Sequence, residues 1–248
     1  MNMVYRHSTQ KRRFDSLIHH SLGIIEKITK KSYNLECVAT IKDLEKLFSS
    51  LKPEQTKQEL IKLGEGDGSY VVPDDLADIG HCISPGFGGL MSFEIDLFKK
   101  FGIQSTIIDR EILDESPPGI NFLPYFIDSY SDSDKEIISL DDVISGLNDS
   151  FTEDLILQMD IEGNEWMVLR SLSVDTLKRF RLIILELHSL PILRDRFLFD
   201  KVVAPSIDKI LDSFNVVFAK AHTPSGFFSF DGKTWYPDTL EVTFQRRY

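Results

Sequence analysis

The sequence predicts an open α/β fold, with a mainly parallel sheet, helices on both faces and an antiparallel hairpin closing its end. Three observations carry that prediction. After Asp75, short apolar runs alternate with amphipathic stretches of helical length, the pattern of parallel strands joined by helical crossovers. The end of the chain breaks this alternation, because Val216 to Ala219 and Leu240 to Gln245 both read as strands with no helix-length pattern between them. Two of the apolar runs end in glycine-rich or acidic turns that lead at once into helices, HCISPGFGGLMSFE at 81–94 and LQMDIEGNEW at 157–166. In open α/β sheets such turns lie outside the carboxyl ends of the strands, where ligands are held.

The elements follow in order. Residues 1–31 carry Arg6, Lys11, Arg12, Arg13, Lys27, Lys30 and Lys31 against Asp15 and Glu26, a charge of +5 beside −16 for the rest of the chain. Leu17, Ile18, Leu22, Ile25 and Ile28 recur near helical spacing, so an amphipathic helix is expected there. Two readings of its basic face stand: solvation on a helix packed against the main domain, or peripheral contact with an anionic membrane surface or partner. Lys42 to Leu51 reads as a second helix, broken by Pro53, and residues 1–57 together read as a helical extension ahead of a main domain at 58–248. Glu59 to Leu63 leads into GEGDGSYVV, a short hairpin. Then come His81 to Ser84, Ser92 to Phe101, Ser105 to Ile108, Asn121 to Ile127, Leu140 to Leu147, Leu155 to Met159, Asn164 to Leu172 and Leu182 to Leu187. The Ser- and Asp-rich segment 128–135 reads as an exposed loop.

Composition narrows the function classes. A chain of 248 residues with 42% hydrophobic content can bury one substantial core. A net charge of −11 argues against nucleic acid, whose binding needs clustered Lys and Arg. Cys37 and Cys82 alone give neither a disulfide framework nor a thiolate zinc site, and with no apolar run of membrane-spanning length the expected place is the cytoplasm.

The turn after the first of these strands holds Gly86, Gly88 and Gly89, which allow backbone N–H groups to approach a ligand at the start of a helix. The dinucleotide fingerprint needs a further glycine where Met91 stands, so nicotinamide binding is disfavoured. Asp109 ends the next apolar strand, 21 residues after Gly88, placed to accept hydrogen bonds from ribose hydroxyls. Further along, Asp160 and Glu162, and again Glu186 and His188, are two residues apart at the ends of apolar runs. If these two strands are neighbours, three carboxylates and an imidazole gather at one edge.

The run PGFGGLMSFE with Asp109, ISLDDVI at 138–144, LQMDIEGNEWMVL at 157–169 and LIILELH at 182–188 resemble the FkbM-type branch of S-adenosylmethionine-dependent methyltransferases. GEGDGSYVVPDD resembles a DGGYV element ahead of the first core strand in one subgroup, with Ser69 in place of the second glycine. The resemblance implies a class I methyltransferase fold, seven strands with the last antiparallel, and S-adenosylmethionine bound at Ser84, Gly86, Phe87, Gly88, Glu94 and Asp109. Ser84 stands where many such enzymes carry an acid, and AHTPSGFF at 221–228 has Thr223 and Pro224 where an AH-x-N-N pattern has a polar pair.

Moving a methyl group from sulfonium to hydroxyl requires alignment of oxygen, carbon and sulfur and removal of a proton. Asp160, Glu162, Glu186 and His188 are the candidate catalytic residues. Three roles stay open for them: His188 or Asp160 as general base, a divalent cation held by Asp160, Glu162 and Glu186, or capping of turns. The expected activity is O-methylation of a hydroxyl on a sugar, a glycan or a small natural product. The competing readings are a catalytically silent methyltransferase-like domain and a nucleotide-sugar-binding accessory protein. His222 is a further candidate for the pocket wall, and Trp235 with Tyr236 for a lid or sugar-stacking wall.

Overall fold

The computed structural model describes residues 38–111, 115–147 and 153–247. The amphipathic helix expected between Leu17 and Ile28, and Cys37, lie outside the described residues.

A seven-stranded sheet forms the centre. Its strands are β3 (Ile79–Pro85), β4 (Gln104–Ile108), β5 (Ile120–Leu123), β8 (Asp154–Met159), β9 (Phe180–Leu187), β10 (Phe214–Ala221) and β13 (Leu240–Arg246), in the spatial order β10-β13-β9-β8-β3-β4-β5. Strands β3, β4, β5, β8 and β9 pair in parallel, and β13 runs antiparallel between β9 and β10. Counted in chain order among the seven, the arrangement is 6-7-5-4-1-2-3, seven strands with the last one reversed, as the resemblance implies. The terminal hairpin expected from the sequence is therefore present, with the reversed strand inserted beside β9 instead of added at the edge.

Alternation of apolar side chains along the strands divides the core into two. Ile83, Leu155, Leu157, Met159, Ile183, Leu185 and Leu187 face α1 (Ile41–Ser50), α3 (Leu140–Gly146), α4 (Glu165–Ser171) and α6 (Ala204–Leu211), while Cys82, Ile156, Leu182 and Ile184 face α2 (Ser92–Phe101) and the hairpin of β1 (Leu60–Leu63) and β2 (Tyr70–Pro73). The short α5 (Val174–Leu177) leads into β9. Helix α1, capped by a reciprocal Thr40–Asp43 box, buries Leu44 and Leu47 in the same core as the sheet. Short pairs β6 (Phe126–Asp128) with β7 (Ile137–Ser139) and β11 (Phe227–Ser229) with β12 (Trp235–Pro237) lie outside the main sheet. Among the described residues no helix is long and apolar enough to cross a membrane.

Strand order reverses at β3, which has β4 on one side and β8 on the other. From β3 the chain proceeds outward to β4 and β5, then returns to β8 and continues to β9 on the opposite side. The crevice beyond the carboxyl ends of β3 and β8 is thus the topological switch point, the place where such sheets bind ligands.

Candidate active site

The two turns at this switch point are locked to each other. Gly86 donates its N–H to Ile108 O at 3.0 Å, and Asp160 N donates to Pro85 O at 3.1 Å. Gly86 has φ of +101°, and a Cβ added there would stand 1.7 Å from the carbonyl oxygen of Asp160. Only glycine satisfies both the angle and the approach. Around Gly88, by contrast, nothing lies within 4 Å of such a Cβ, so its side faces open space.

Asp109 stands beside this loop. Its Oδ2 accepts from Phe87 N at 2.9 Å and its Oδ1 from Glu111 N at 2.8 Å, and burial, opposed by those hydrogen bonds, pushes its pKa up. The expected acid is therefore at the loop, holding it in shape while each oxygen retains a lone pair. Phe87 packs edge-on against Phe122, with ring centroids 5.5 Å apart.

A cleft of about 550 Å³, open mouth included, lies over the switch point and is lined by Gly68, Tyr70, Gly86, Gly88, Gln158 and Asp160, with Asp67, Leu90, Glu94 and Glu162 completing its wall. Of the expected donor residues, Gly86, Gly88 and Glu94 line it. Ser84 is fully buried and lies beneath. The GEGDG loop between β1 and β2 closes one side, pinned to α2 by Ser92, whose Oγ donates to Gly68 O at 2.9 Å and accepts from Glu65 N at 2.9 Å.

The acids at the ends of β8 and β9 do gather, since these strands are hydrogen-bonded neighbours. The detail differs from the sequence expectation. Strand β8 ends at Met159 and Glu162 has φ of +58°, so the backbone has left the extended conformation and the two-residue alternation no longer applies. Glu162 is exposed at the cleft rim. The residue beneath the turn is Glu165, completely buried, whose Oε1 accepts from Ile161 N at 2.9 Å, Gly163 N at 3.2 Å and His188 Nδ1 at 2.9 Å. His188 Nε2 lies 3.7 Å from both Asp160 Oδ1 and Glu186 Oε1, and its backbone oxygen receives Trp166 Nε1 at 2.9 Å.

The electrostatics follow from this packing. Burial alone would lower the His188 pKa, but the hydrogen bond to Glu165 and the charges of Glu165, Asp160 and Glu186 together push it up to about 10. It is an imidazolium at neutral pH. Burial, together with the charge of Glu186, raises Asp160, to about 8, against the opposing pull of His188. Glu186 is raised by burial as well. His222 completes the group: Nδ1 is 3.5 Å from Glu186 Oε1 and Nε2 is 3.4 Å from Asp67 Oδ1, linking the loop after β10 to β9 and the GEGDG loop. Tyr236 is buried against Phe48, ring centroids 4.8 Å apart, while Trp235 is exposed.

Residues 98–214 match the family model described as Methyltransferase FkbM domain. Among solved structures it is similar to a SAM-dependent methyltransferase from Anabaena variabilis ATCC 29413, with 9% identity, 68% of this chain and 77% of that chain covered, and a TM-score of 0.36. No curated protein matches the chain.

Similarity to this family implies S-adenosylmethionine as methyl donor, and the lining of the cleft fits it. Four acidic side chains, Asp67, Glu94, Asp160 and Glu162, line the cleft, and among the described residues neither Lys nor Arg does. Such a wall suits a ligand bearing a sulfonium and an ammonium. The expected cation fits less well. Asp160, Glu165 and His188 each offer an atom within 4.8 Å of the others, a grouping that contains Glu165 where Glu162 and Glu186 were expected. Glu165 Oε1 already accepts three hydrogen bonds, one of them from His188. A cation there would have to replace the imidazole proton and compete with the hydrogen bonds that Glu165 Oε1 already accepts.

Proposed function

We propose that this chain is an FkbM-type, S-adenosylmethionine-dependent methyltransferase that methylates a hydroxyl group of a sugar, free or within a glycan, or of a small natural product. The observation that supports the reading is the pair of carboxyl groups, Asp160 and Glu186, gathered around the protonated His188 outside β8 and β9, beside the glycine loop of the donor cleft. Bound S-adenosylmethionine supplies an electrophilic methyl group there.

The chain's own residues divide the remaining work. Asp160 in its ionised form takes the hydroxyl proton, and its raised pKa makes it a stronger base than an ordinary carboxylate. His188, already protonated, is a poor base and instead keeps part of Asp160 ionised through its positive charge. Glu165 fixes the imidazole's orientation and charge, so it acts as a positioning residue behind His188. Glu186, placed between His188 and His222, raises the proton affinity of Asp160. The Gly86 turn keeps the donor loop in register with Asp160, which in-line transfer requires.

The lining of the cleft weighs against the nucleotide-sugar alternative, because among the described residues a diphosphate would meet acids and neither Lys nor Arg. Incubating the protein with S-adenosylmethionine and panels of sugars, glycans and hydroxylated natural products, then reading products by mass spectrometry, tests the proposal. The expected product has one additional methyl group on oxygen. A methyl group found on carbon or nitrogen would refute the O-methyl assignment, and donor binding without transfer to any acceptor would favour the silent domain.

A further inference from the structure

Behind the cleft runs a buried chain of polar groups that the methyl-transfer cluster does not use. Ser84 Oγ lies 2.5 Å from Glu94 Oε1 and 2.5 Å from Gln158 Oε1, and Gln158 Nε2 donates to the Tyr70 hydroxyl at 2.9 Å. Ser84, Glu94, Gln158 and Tyr70 are all buried, with Tyr70 5% exposed, yet Tyr70, Gln158 and Glu94 reach the cleft wall.

Proton counting gives this chain a direction. The serine hydroxyl has one hydrogen and stands between two oxygens at bonding distance, so one of the three oxygens must bring a second hydrogen. An amide oxygen cannot. Glu94 can, and its burial, which raises its pKa against the Ser84 hydrogen bond, favours the neutral acid. The hydrogens then run one way: Glu94 donates to Ser84, Ser84 to the Gln158 oxygen, and the Gln158 amide to the Tyr70 oxygen. Tyr70 is left with its own O–H as the terminal donor at the cleft. Burial and the nearby acids Asp160 and Glu186 keep that phenol protonated.

The geometry points to Tyr70 as the residue that receives the carboxylate of the methyl donor's amino-acid end, an inference that rests on the S-adenosylmethionine reading above. A carboxylate in this cleft faces acids on several sides and finds no Lys or Arg in the lining among the described residues. It therefore depends on neutral donors, and the Tyr70 O–H is a side-chain donor whose oxygen is already held from behind. The one-way chain occupies the phenol oxygen from behind and keeps that hydrogen directed toward the cleft. Ser84 thereby acts on the donor through Gln158 and Tyr70, without touching it.

Tyr70→Phe tests this, because it removes one oxygen while retaining the ring that packs edge-on against Phe93, centroids 5.3 Å apart. Calorimetry compares S-adenosylhomocysteine with its decarboxylated form, which keeps the adenosine and the ammonium. Expected is a loss of about tenfold for S-adenosylhomocysteine and little change for the decarboxylated ligand. Ser84→Ala, which interrupts the chain upstream, should weaken S-adenosylhomocysteine by a smaller factor in the same selective way. Equal losses for both ligands would mean a structural role and would overturn the inference. So would unchanged binding of both, the result expected if the Gln158 amide were reversed and drew the Tyr70 hydrogen inward. Unchanged donor binding with a raised acceptor KM would move the hydroxyl to the acceptor and also overturn it. If neither ligand binds the unsubstituted protein, the donor reading itself falls, whatever Tyr70 does.

Discussion

Replacing Glu165 by Ala removes the group on which the whole acidic turn is built. The carboxylate is completely buried and its Oε1 receives two backbone N–H groups and the His188 imidazolium. In the Ala variant those donors and one positive charge remain in a poorly hydrated site. Removing one member of a buried charge pair costs about 3–5 kcal/mol. Glu165→Gln is the informative partner, since its amide oxygen can still accept the three hydrogen bonds and only the charge is lost. Its expected cost is smaller, about 1–2 kcal/mol. With a urea slope near 3 kcal/mol per M, Glu165→Ala should lower the unfolding midpoint by about 1–1.7 M. The penalty should also depend on pH with a definite sign. The His188 pKa is raised in the folded protein from 6.5 to about 10, so the stability it contributes is complete below 6.5 and is lost as pH climbs to 10. The difference between wild type and Glu165→Ala should therefore shrink over that interval. A midpoint shift below about 0.3 M, or a difference independent of pH between 6.5 and 10, would refute the assignment of Glu165 as the anchor of His188.

Other expectations concern turnover and binding. With Asp160 as base, kcat/KM should rise with pH through a group near 8; a limb near 10 would make His188 the base. Glu186→Gln should move that limb to lower pH and His188→Asn to higher pH, because Glu186 raises the Asp160 pKa and His188 lowers it; shifts of the opposite sign would contradict the charge arrangement. Gly86→Ala should weaken S-adenosylhomocysteine by at least about tenfold, since its Cβ would overlap the Asp160 carbonyl, and wild-type affinity in calorimetry would show that the two turns are not coupled. Activity should survive dialysis against a chelator, and loss reversed by added Mg²⁺ or Mn²⁺ would replace the proton at the Asp160–Glu165–His188 grouping with a cation.

Much of this site is legible in the sequence because strand ends are. The run Leu155 to Met159 and the run Leu182 to Leu187 are apolar, buried and adjacent, so the polar residues that follow each were bound to meet at one edge. Helix Ser92–Phe101 is equally legible, opened by the glycine turn and closed by Gly102 in the left-handed conformation. Glu165 was missed as an anchor for a local reason. The alternation rule carries Asp160 and Glu162 to one side only while the backbone stays extended, and the positive φ at Glu162 and Gly163 reverses the chain and tucks Glu165 underneath. Tyr70 and Gln158 were missed for a long-range one. Each reads as an ordinary strand residue, and their bond spans 88 positions, visible only once β2 is packed across the sheet. The stretch before β10 hides α6 because a turn of π-helix, Phe199–Val203, and Pro205 interrupt its period.

The central claim is that the carboxylate of Asp160 takes the acceptor's proton beside a bound methyl donor. Transfer of labelled methyl from S-adenosylmethionine to the acceptor hydroxyl, measured in parallel with S-adenosylhomocysteine affinity for wild type and Asp160→Asn, tests it most directly. The account predicts turnover reduced by about 10² to 10⁴-fold with donor affinity nearly unchanged. Near-normal turnover in Asp160→Asn, with the product still carrying its methyl on oxygen, would contradict it.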